Sequence, residues 1–282
     1  MAGRLANKSA LLTGATSGMG VDVARRFIEE GARVVFCGRT AAAGEALAHE
    51  LGPQARFVRA DVTQEREIAY LVAEACDQLG GRIDFLFNNA APATRDTPVT
   101  EIDADELSNA SRAIFESVVL VTKHVVPVMR AQGFGSILNN GSTAAHRANS
   151  SPSVYSALKA GVCHFTRCMA LELAEFGIRV NTISPGAIPT PIFLNVLGLP
   201  PDQHTAGLAA LKAAFAKASP LGRVGSGTDI AAAAVFFASD ESAFVTGQDL
   251  IVDGGLTAGL SSAAKRAQWE MLRNALAAVQ SP

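Results

Sequence analysis

Short runs of β-branched and apolar residues alternate along this chain with longer stretches in which apolar positions recur every three to four residues. The short runs predict strands at 9–13, 33–37, 55–59, 83–88, 136–139, 179–184 and 249–252. The longer ones predict helices over 18–30, 41–51, 64–79, 103–132, 153–175 and 228–238. Strand and helix in alternation is the pattern of βαβ units, whose crossovers bring successive strands into one parallel sheet. The expected fold class is therefore α/β. It is a single doubly wound domain over residues 1–282, with a parallel seven-stranded sheet and helices on both faces.

Two segments stand outside the alternation. Residues 189–220 are proline-rich, carry a helical patch at 205–217 and delay the path to the last strand, as an insertion over a binding site would. This segment is expected to be a substrate lid. The tail, 260–282, has helical spacing in Ala264, Gln268, Met271 and Leu272 and holds the only tryptophan, Trp269. A ring that large is expected to be buried, with docking near the lid favoured over a subunit interface.

Composition narrows the class of function. A chain of 282 residues, 49% apolar and with net charge −2, can bury one large core and has no block of like charges. Neither nucleic acid nor a membrane surface is expected as a partner, no apolar run is long enough to cross a bilayer, and a cytoplasmic location is expected. The four cysteines, Cys37, Cys76, Cys163 and Cys168, lack CxxC spacing and a neighbouring histidine cluster. They read as reduced thiols with no metal centre.

Directly after the first predicted strand comes Thr13-Gly14-Ala15-Thr16-Ser17-Gly18-Met19-Gly20, and a helix opens behind it. Glycines in a strand–turn–helix setting let the backbone approach a pyrophosphate, whose charge the free N–H groups at the helix start favour. At the end of the second strand, Phe36-Cys37-Gly38-Arg39-Thr40 offers no acid to bind the ribose hydroxyls of NAD. Arg39 can pair with a 2′-phosphate, so NADP is expected, with NAD possible.

The chain resembles the short-chain dehydrogenase/reductase family. The likeness rests on TGATSGMG, on Asn88-Asn89-Ala90, on Tyr155-Ser156-Ala157-Leu158-Lys159, on Pro185-Gly186 with Thr190, and on Val252-Asp253-Gly254-Gly255. These motifs appear in the family's order and span residues 5–257. The resemblance implies a Rossmann-like domain assembled as a homotetramer or dimer. It implies that Gly14, Ser17, Gly18 and Met19 line the pyrophosphate, that Asp61 and Val62 flank the adenine, and that Asn88, Asn89 and Ala90 close the strand above the adenosine ribose. Pro185 and Gly186 would lie beside the nicotinamide, with the Ile188 backbone and the Thr190 hydroxyl holding its carboxamide.

Hydride transfer to a carbonyl leaves an alkoxide, so the site needs a proton donor beside the carbonyl oxygen. Tyr155 and Lys159 are four apart on a predicted helix and share a face, and an ammonium there is expected to lower the phenol pKa. By the resemblance, Ser142 holds the substrate oxygen and Lys159 also grips the nicotinamide ribose. Ala91 stands where the family usually has a glycine after Asn88-Asn89-Ala90, and a second departure matters more. Where an asparagine commonly bends the long helix and supports a relay water, this chain has Ile114; Ser111 and Ser117, a helical turn away on either side, are the possible substitutes.

His124, His146, His164 and His204 are read as surface or helix-face residues, with His146 the one to watch because it follows Ser142 closely. The expected function is an NADP- or NAD-dependent oxidoreductase acting on a hydrophobic ketone or secondary alcohol, the apolar lid setting the substrate class. Two alternatives stand beside it: a dinucleotide-binding scaffold or regulatory protein without turnover, and an enoyl reductase or dehydratase on the same fold. Ile114, Val118, Phe165 and Met169 are the expected second buried face of the two long helices in an oligomer.

Overall fold

The computed structural model describes residues 3–280; the ends of the expected 1–282 domain and of the tail lie outside the described residues. Seven strands form one sheet: β1 (Ser9–Leu12), β2 (Arg33–Gly38), β3 (Ala55–Arg59), β4 (Phe85–Asn88), β5 (Gly135–Asn140), β6 (Ile178–Pro185) and β7 (Asp249–Val252). Their order is β3-β2-β1-β4-β5-β6-β7, and every pair is parallel. The chain reverses its direction of travel across the sheet between β1 and β4, the place where such folds open a crevice at the carboxyl ends of the strands.

Alternation of side chains along each strand splits the core into two layers. Ala10, Leu12, Val34 and Phe36 face one side, where α1 (Met19–Glu29), α2 (Ala41–Leu51) and α9 (Gly227–Ala238) pack with Phe27, Leu47 and Ile230. Leu11, Val35 and Cys37 face the other, against α3 (Glu65–Gln78), α5 (Ser117–Gln132) and α6 (Ser153–Glu172). Phe27 and Phe85 meet at 5.3 Å in the first layer, both fully buried. Truncating either to alanine would cost about 3–5 kcal/mol. Helix α9 starts on a capping box in which Ser226 and Asp229 satisfy each other's backbone N–H, and Arg223 grips the same Asp229 carboxylate at 2.7 and 2.9 Å.

The expected single helix over 103–132 is three pieces. Helix α4 (Ala104–Ser111) starts on the Asp103 side chain, then one π-helical turn (Arg112–Glu116) intervenes before α5. The Ser117 N–H reaches back five residues to the Arg112 carbonyl, which widens the helix at Ile114. The helix is thus widened here without an asparagine at that position. Ile114 and Val118 are already buried within the chain, so of the residues expected at a subunit face only Phe165 and Met169 remain part-exposed.

Between β6 and α9 the chain forms α7 (Pro191–Val196) and α8 (His204–Ala218), joined edge-to-face through Phe193 and Phe215. The tail forms α10 (Ser262–Gln280). Trp269 is 55% exposed, and Met271, Leu272 and Leu276 are exposed with it, so the expected burial of the tryptophan near the lid does not occur. A periodic apolar stripe specifies a sticky face but not its partner, and this chain supplies none to the ring.

Candidate active site

Residues at the carboxyl ends of the strands build the site. After β1, Gly14 and Gly18 adopt positive φ (64° and 56°), which side-chain-bearing residues rarely do. A Cβ at Gly20 would lie 2.6 Å from the Ala15 Cα and 2.7 Å from the Gly14 carbonyl oxygen. The turn is therefore as tight as backbone permits. No side chain caps α1 at Gly18, which leaves the helix's first N–H groups available to an anion. Ser17 is exposed on the turn and Met19 is half-buried. This is a cradle that fits a dinucleotide pyrophosphate.

The neighbouring strand ends are held by a polar network. The Thr13 hydroxyl accepts from the Asn89 and Ala90 N–H groups, and the Asn89 amide donates to the Thr13 and Gly14 carbonyls. Asn140 donates to the Asn89 side chain at 3.1 Å, and Asn88 donates to Asn139 at 2.9 Å and to the Thr122 hydroxyl. The Asn88 and Asn140 side-chain oxygens are buried with no partner, acceptors left over for a ligand. Thr13, Asn139 and Asn140 were not singled out by sequence reasoning; an Asn-Asn pair ending a strand, as at Asn88-Asn89, was the available signal.

Arg39 is exposed directly after β2. The preceding Gly38 lies so close to the glycine-rich turn that a Cβ there would fall 2.3 Å from the Thr16 hydroxyl, which sets Arg39 at the edge of the cradle. Asp61 is part-buried, with one carboxylate oxygen accepting from the Thr63 N–H and hydroxyl, and Val62 is buried beside it. On the other flank, Pro185 ends β6 and Gly186 packs against Asp253 where no Cβ would fit. Ile188 is buried, and Thr190 stands 3.4 Å from where a Gly18 Cβ would be. The start of the lid segment thus touches the cradle.

Ser142, Tyr155 and Lys159 converge at the ends of β5 and α6. The Lys159 ammonium donates to the Asn140 carbonyl at 2.6 Å and lies 5.7 Å from the centre of the Tyr155 ring. Burial pushes the Lys159 pKa down to about 8. Burial also raises the Tyr155 phenol above its ordinary value, while the Ser142 hydroxyl beside it acts the other way. The expected lowering by the ammonium is not found: burial is the larger cause, and the group acting against it is Ser142, while Lys159 donates to the Asn140 carbonyl.

Neither expected substitute for the relay asparagine faces the site by its hydroxyl. Ser117 donates to the Ala113 carbonyl and Ser111 to Glu116. Ile114 is fully buried, and the next residue, Phe115, packs on α6 against Phe165 and Gly161. Among the histidines, His124 binds Glu65 and His204 the Leu199 carbonyl. His146 is drawn to Asp249 at 2.8 Å, and with Cys163 they form a cluster of metal-ligand types that spacing along the chain did not reveal. A cavity of about 480 Å³ is lined by Ile188, Phe215, Ala218, Leu221, Val224 and Gly254, and Ser142, Tyr155 and Lys159 are not among its lining residues.

Known proteins share this fold. The family described as enoyl-(acyl carrier protein) reductase matches residues 14–257. The chain is 38% identical over 256 residues to cis-4-hydroxycyclohexanecarboxylate dehydrogenase of Sinomonas cyclohexanicum, covering 90% of this chain and 98% of that one. It is 35% identical over 256 residues to L-fucose dehydrogenase of Oryctolagus cuniculus, covering 91% and 87%. The crystal structure of levodione reductase superposes with a TM-score of 0.83 at 30% identity, covering 91% of this chain and all of that one. With its seven parallel strands and glycine cradle, the chain belongs to the short-chain dehydrogenase/reductase family of NAD(P)-dependent oxidoreductases.

Proposed function

We propose that the chain interconverts a hydrophobic ketone and its secondary alcohol, with NADP(H) preferred and NAD(H) accepted. The observation that carries this reading is the meeting of Ser142, Tyr155 and Lys159 at the strand ends that flank the glycine cradle. A bound nicotinamide supplies or accepts the hydride. Ser142 orients the carbonyl oxygen, and Tyr155 gives that oxygen its proton as the negative charge develops. An alkoxide is a stronger base than a phenolate, so a phenol held protonated by burial serves reduction. Lys159 fixes the ribose hydroxyls and, below its pKa of about 8, adds positive charge near the phenol.

The cofactor assignments extend this reading. Gly14, Ser17, Gly18 and Met19 receive the pyrophosphate, Asp61 and Val62 flank the adenine, and Asn88, Asn89 and Ala90 border its ribose. Pro185, Gly186, Ile188 and Thr190 hold the nicotinamide end. Preference for NADP rests on Arg39 at the edge of the cradle and on the absence of an acid at the end of β2. A hydrophobic substrate is supported by the lid, whose Ile192, Phe193, Val196 and Leu197 are exposed. The relatives differ in what they are named for, a cyclohexane acid and a sugar, so the fold alone does not name the substrate.

A homo-oligomer in the cytoplasm completes the proposal. No helix among the described residues is long and apolar enough to cross a membrane, and Leu171, Phe244, Leu250 and Ile251 are exposed apolar residues. The test is a panel of apolar ketones, secondary alcohols and enoyl thioesters, each with NADPH, NADH or the oxidised forms, followed by nicotinamide absorbance. Turnover of ketones with NADPH is expected. Turnover of the enoyl substrates alone would overturn the reading in favour of enoyl reduction, and turnover of none, despite tight dinucleotide binding, in favour of a scaffold.

A further inference from the structure

We propose that His146, Cys163 and Asp249 form a binding site for a thiophilic divalent cation of the zinc type, lying beneath the Ser142 loop. One ligand atom from each residue lies within 4.8 Å of the others, an imidazole nitrogen, a thiol sulfur and a carboxylate oxygen. That donor set, with three protein ligands and an open fourth position, is one zinc accepts. The three come from separate elements. His146 follows the short turn after β5, Cys163 lies on α6, and Asp249 opens β7.

The surroundings point to a ligand. The Asp249 side chain is 10% exposed, and its Oδ2 is 2.8 Å from the His146 Nε2. Its other oxygen, Oδ1, is buried with no hydrogen-bond partner beyond the neighbouring Cys163 thiol, and the same holds for the Ser184 hydroxyl. Gly141 packs against these groups, and a Cβ there would fall 2.5 Å from the Ser184 Oγ and 3.3 Å from the Cys163 Sγ. A buried carboxylate is costly unless charge or hydrogen bonds offset it, and the groups that face this one are the His146 ring and the Cys163 thiol.

Charge balances when the cation enters. The metal–sulfur bond forms as the thiol proton leaves to solvent, together with any proton on the His146 Nε2. One dication, one thiolate and one carboxylate sum to zero beside the Lys159 ammonium, and the Ser184 hydroxyl is placed to donate to the sulfur. His146, 26% exposed by its side chain, is the way in. The site would tie the loop carrying Ser142 to the helix carrying Lys159, since Cys163 is one helical turn beyond that lysine. The cation is a structural tether between two catalytic elements and the outermost strand.

Cobalt(II) is the probe, because its thiolate complexes absorb in the near-ultraviolet and its tetrahedral complexes in the visible. Chelator-treated full-length protein should bind one equivalent with a sulfur-to-cobalt band that zinc(II) abolishes, and zinc should raise the melting temperature. Cys163→Ser should lose both the band and the thermal response. His146→Gln, at an exposed residue that the fold does not need, and Asp249→Asn should each weaken cobalt binding at least tenfold. No sulfur-to-cobalt band at one equivalent would overturn the proposal. So would a band that survives Cys163→Ser, or binding indifferent to both His146→Gln and Asp249→Asn.

Discussion

Lys159 donates its ammonium to the Asn140 carbonyl across 2.6 Å, and Asn140 in turn holds Asn89 through its side-chain amide. One strand end therefore joins helix α6 to the wall of the glycine cradle. Under the proposed function, Asn140 would set the position of both the proton donor and the cofactor.

Tyr155→Phe should fold normally and bind dinucleotide with a Kd within about twofold of the parent. Its kcat should fall by about 10²–10⁴-fold, the usual contribution of a positioned acid. Fluorescence titration with NADPH and steady-state kinetics read the two quantities separately.

Lys159 gives stability a pH dependence with a definite sign. Its native pKa is lowered to about 8, whereas the unfolded chain keeps the ordinary value near 10.5. Between these the unfolded state holds a proton the native state lacks, so stability rises with pH across that window. The penalty for burying the charge is full below pH 8 and is relieved above it. Relative to Lys159→Met, the parent should gain on the order of 2–3 kcal/mol from pH 7.5 to 10.5, an upper bound from about 1.4 kcal/mol per unit. Urea denaturation of both proteins at several pH values checks it, and a flat difference would refute it.

Arg39→Asp should move preference from NADP toward NAD by at least tenfold in kcat/KM, since an acid repels the 2′-phosphate and accepts from free ribose hydroxyls. Kinetics with both cofactors decide. A parent enzyme already strongly selective for NAD would refute the role given to Arg39.

Deleting residues 261–282 should leave NADPH affinity unchanged and loosen the oligomer, because Trp269, Met271, Leu272 and Leu276 find solvent and not a core in the chain itself. Sedimentation velocity across micromolar concentrations distinguishes this from a dispensable tail, for which assembly and melting would both be unchanged.

The sheet was legible because strand and helix impose different periods on apolar residues, and all seven strands fall within two residues of their expected ends. Gly14 and Gly20 were legible too, since backbone approaches them so closely that a side chain is excluded, as was Gly18, whose positive φ favours glycine. The π turn at Ile114 was not, because an isoleucine suits a straight helix and a widened one equally. Nor was the His146, Cys163 and Asp249 cluster. Two of its members stand 103 residues apart, and only the closing of β7 against β6 brings them together. The tryptophan shows the converse limit, for apolar character predicts a wish for cover without naming what provides it.

The all-parallel sheet has a second rim, where the strands begin. There Arg4 and Lys8 clasp Glu241 and Asp240, the Lys8 contact at 2.6 Å, and fasten the start of β1 to the turn before β7. The eight-residue β6 separates this rim from the chemistry by about 26 Å, at roughly 3.3 Å per residue. Surface immobilisation or a fluorescent label attached there would leave the substrate mouth facing away from the support, making this rim the natural handle for turning the protein into a sensor or a bound catalyst.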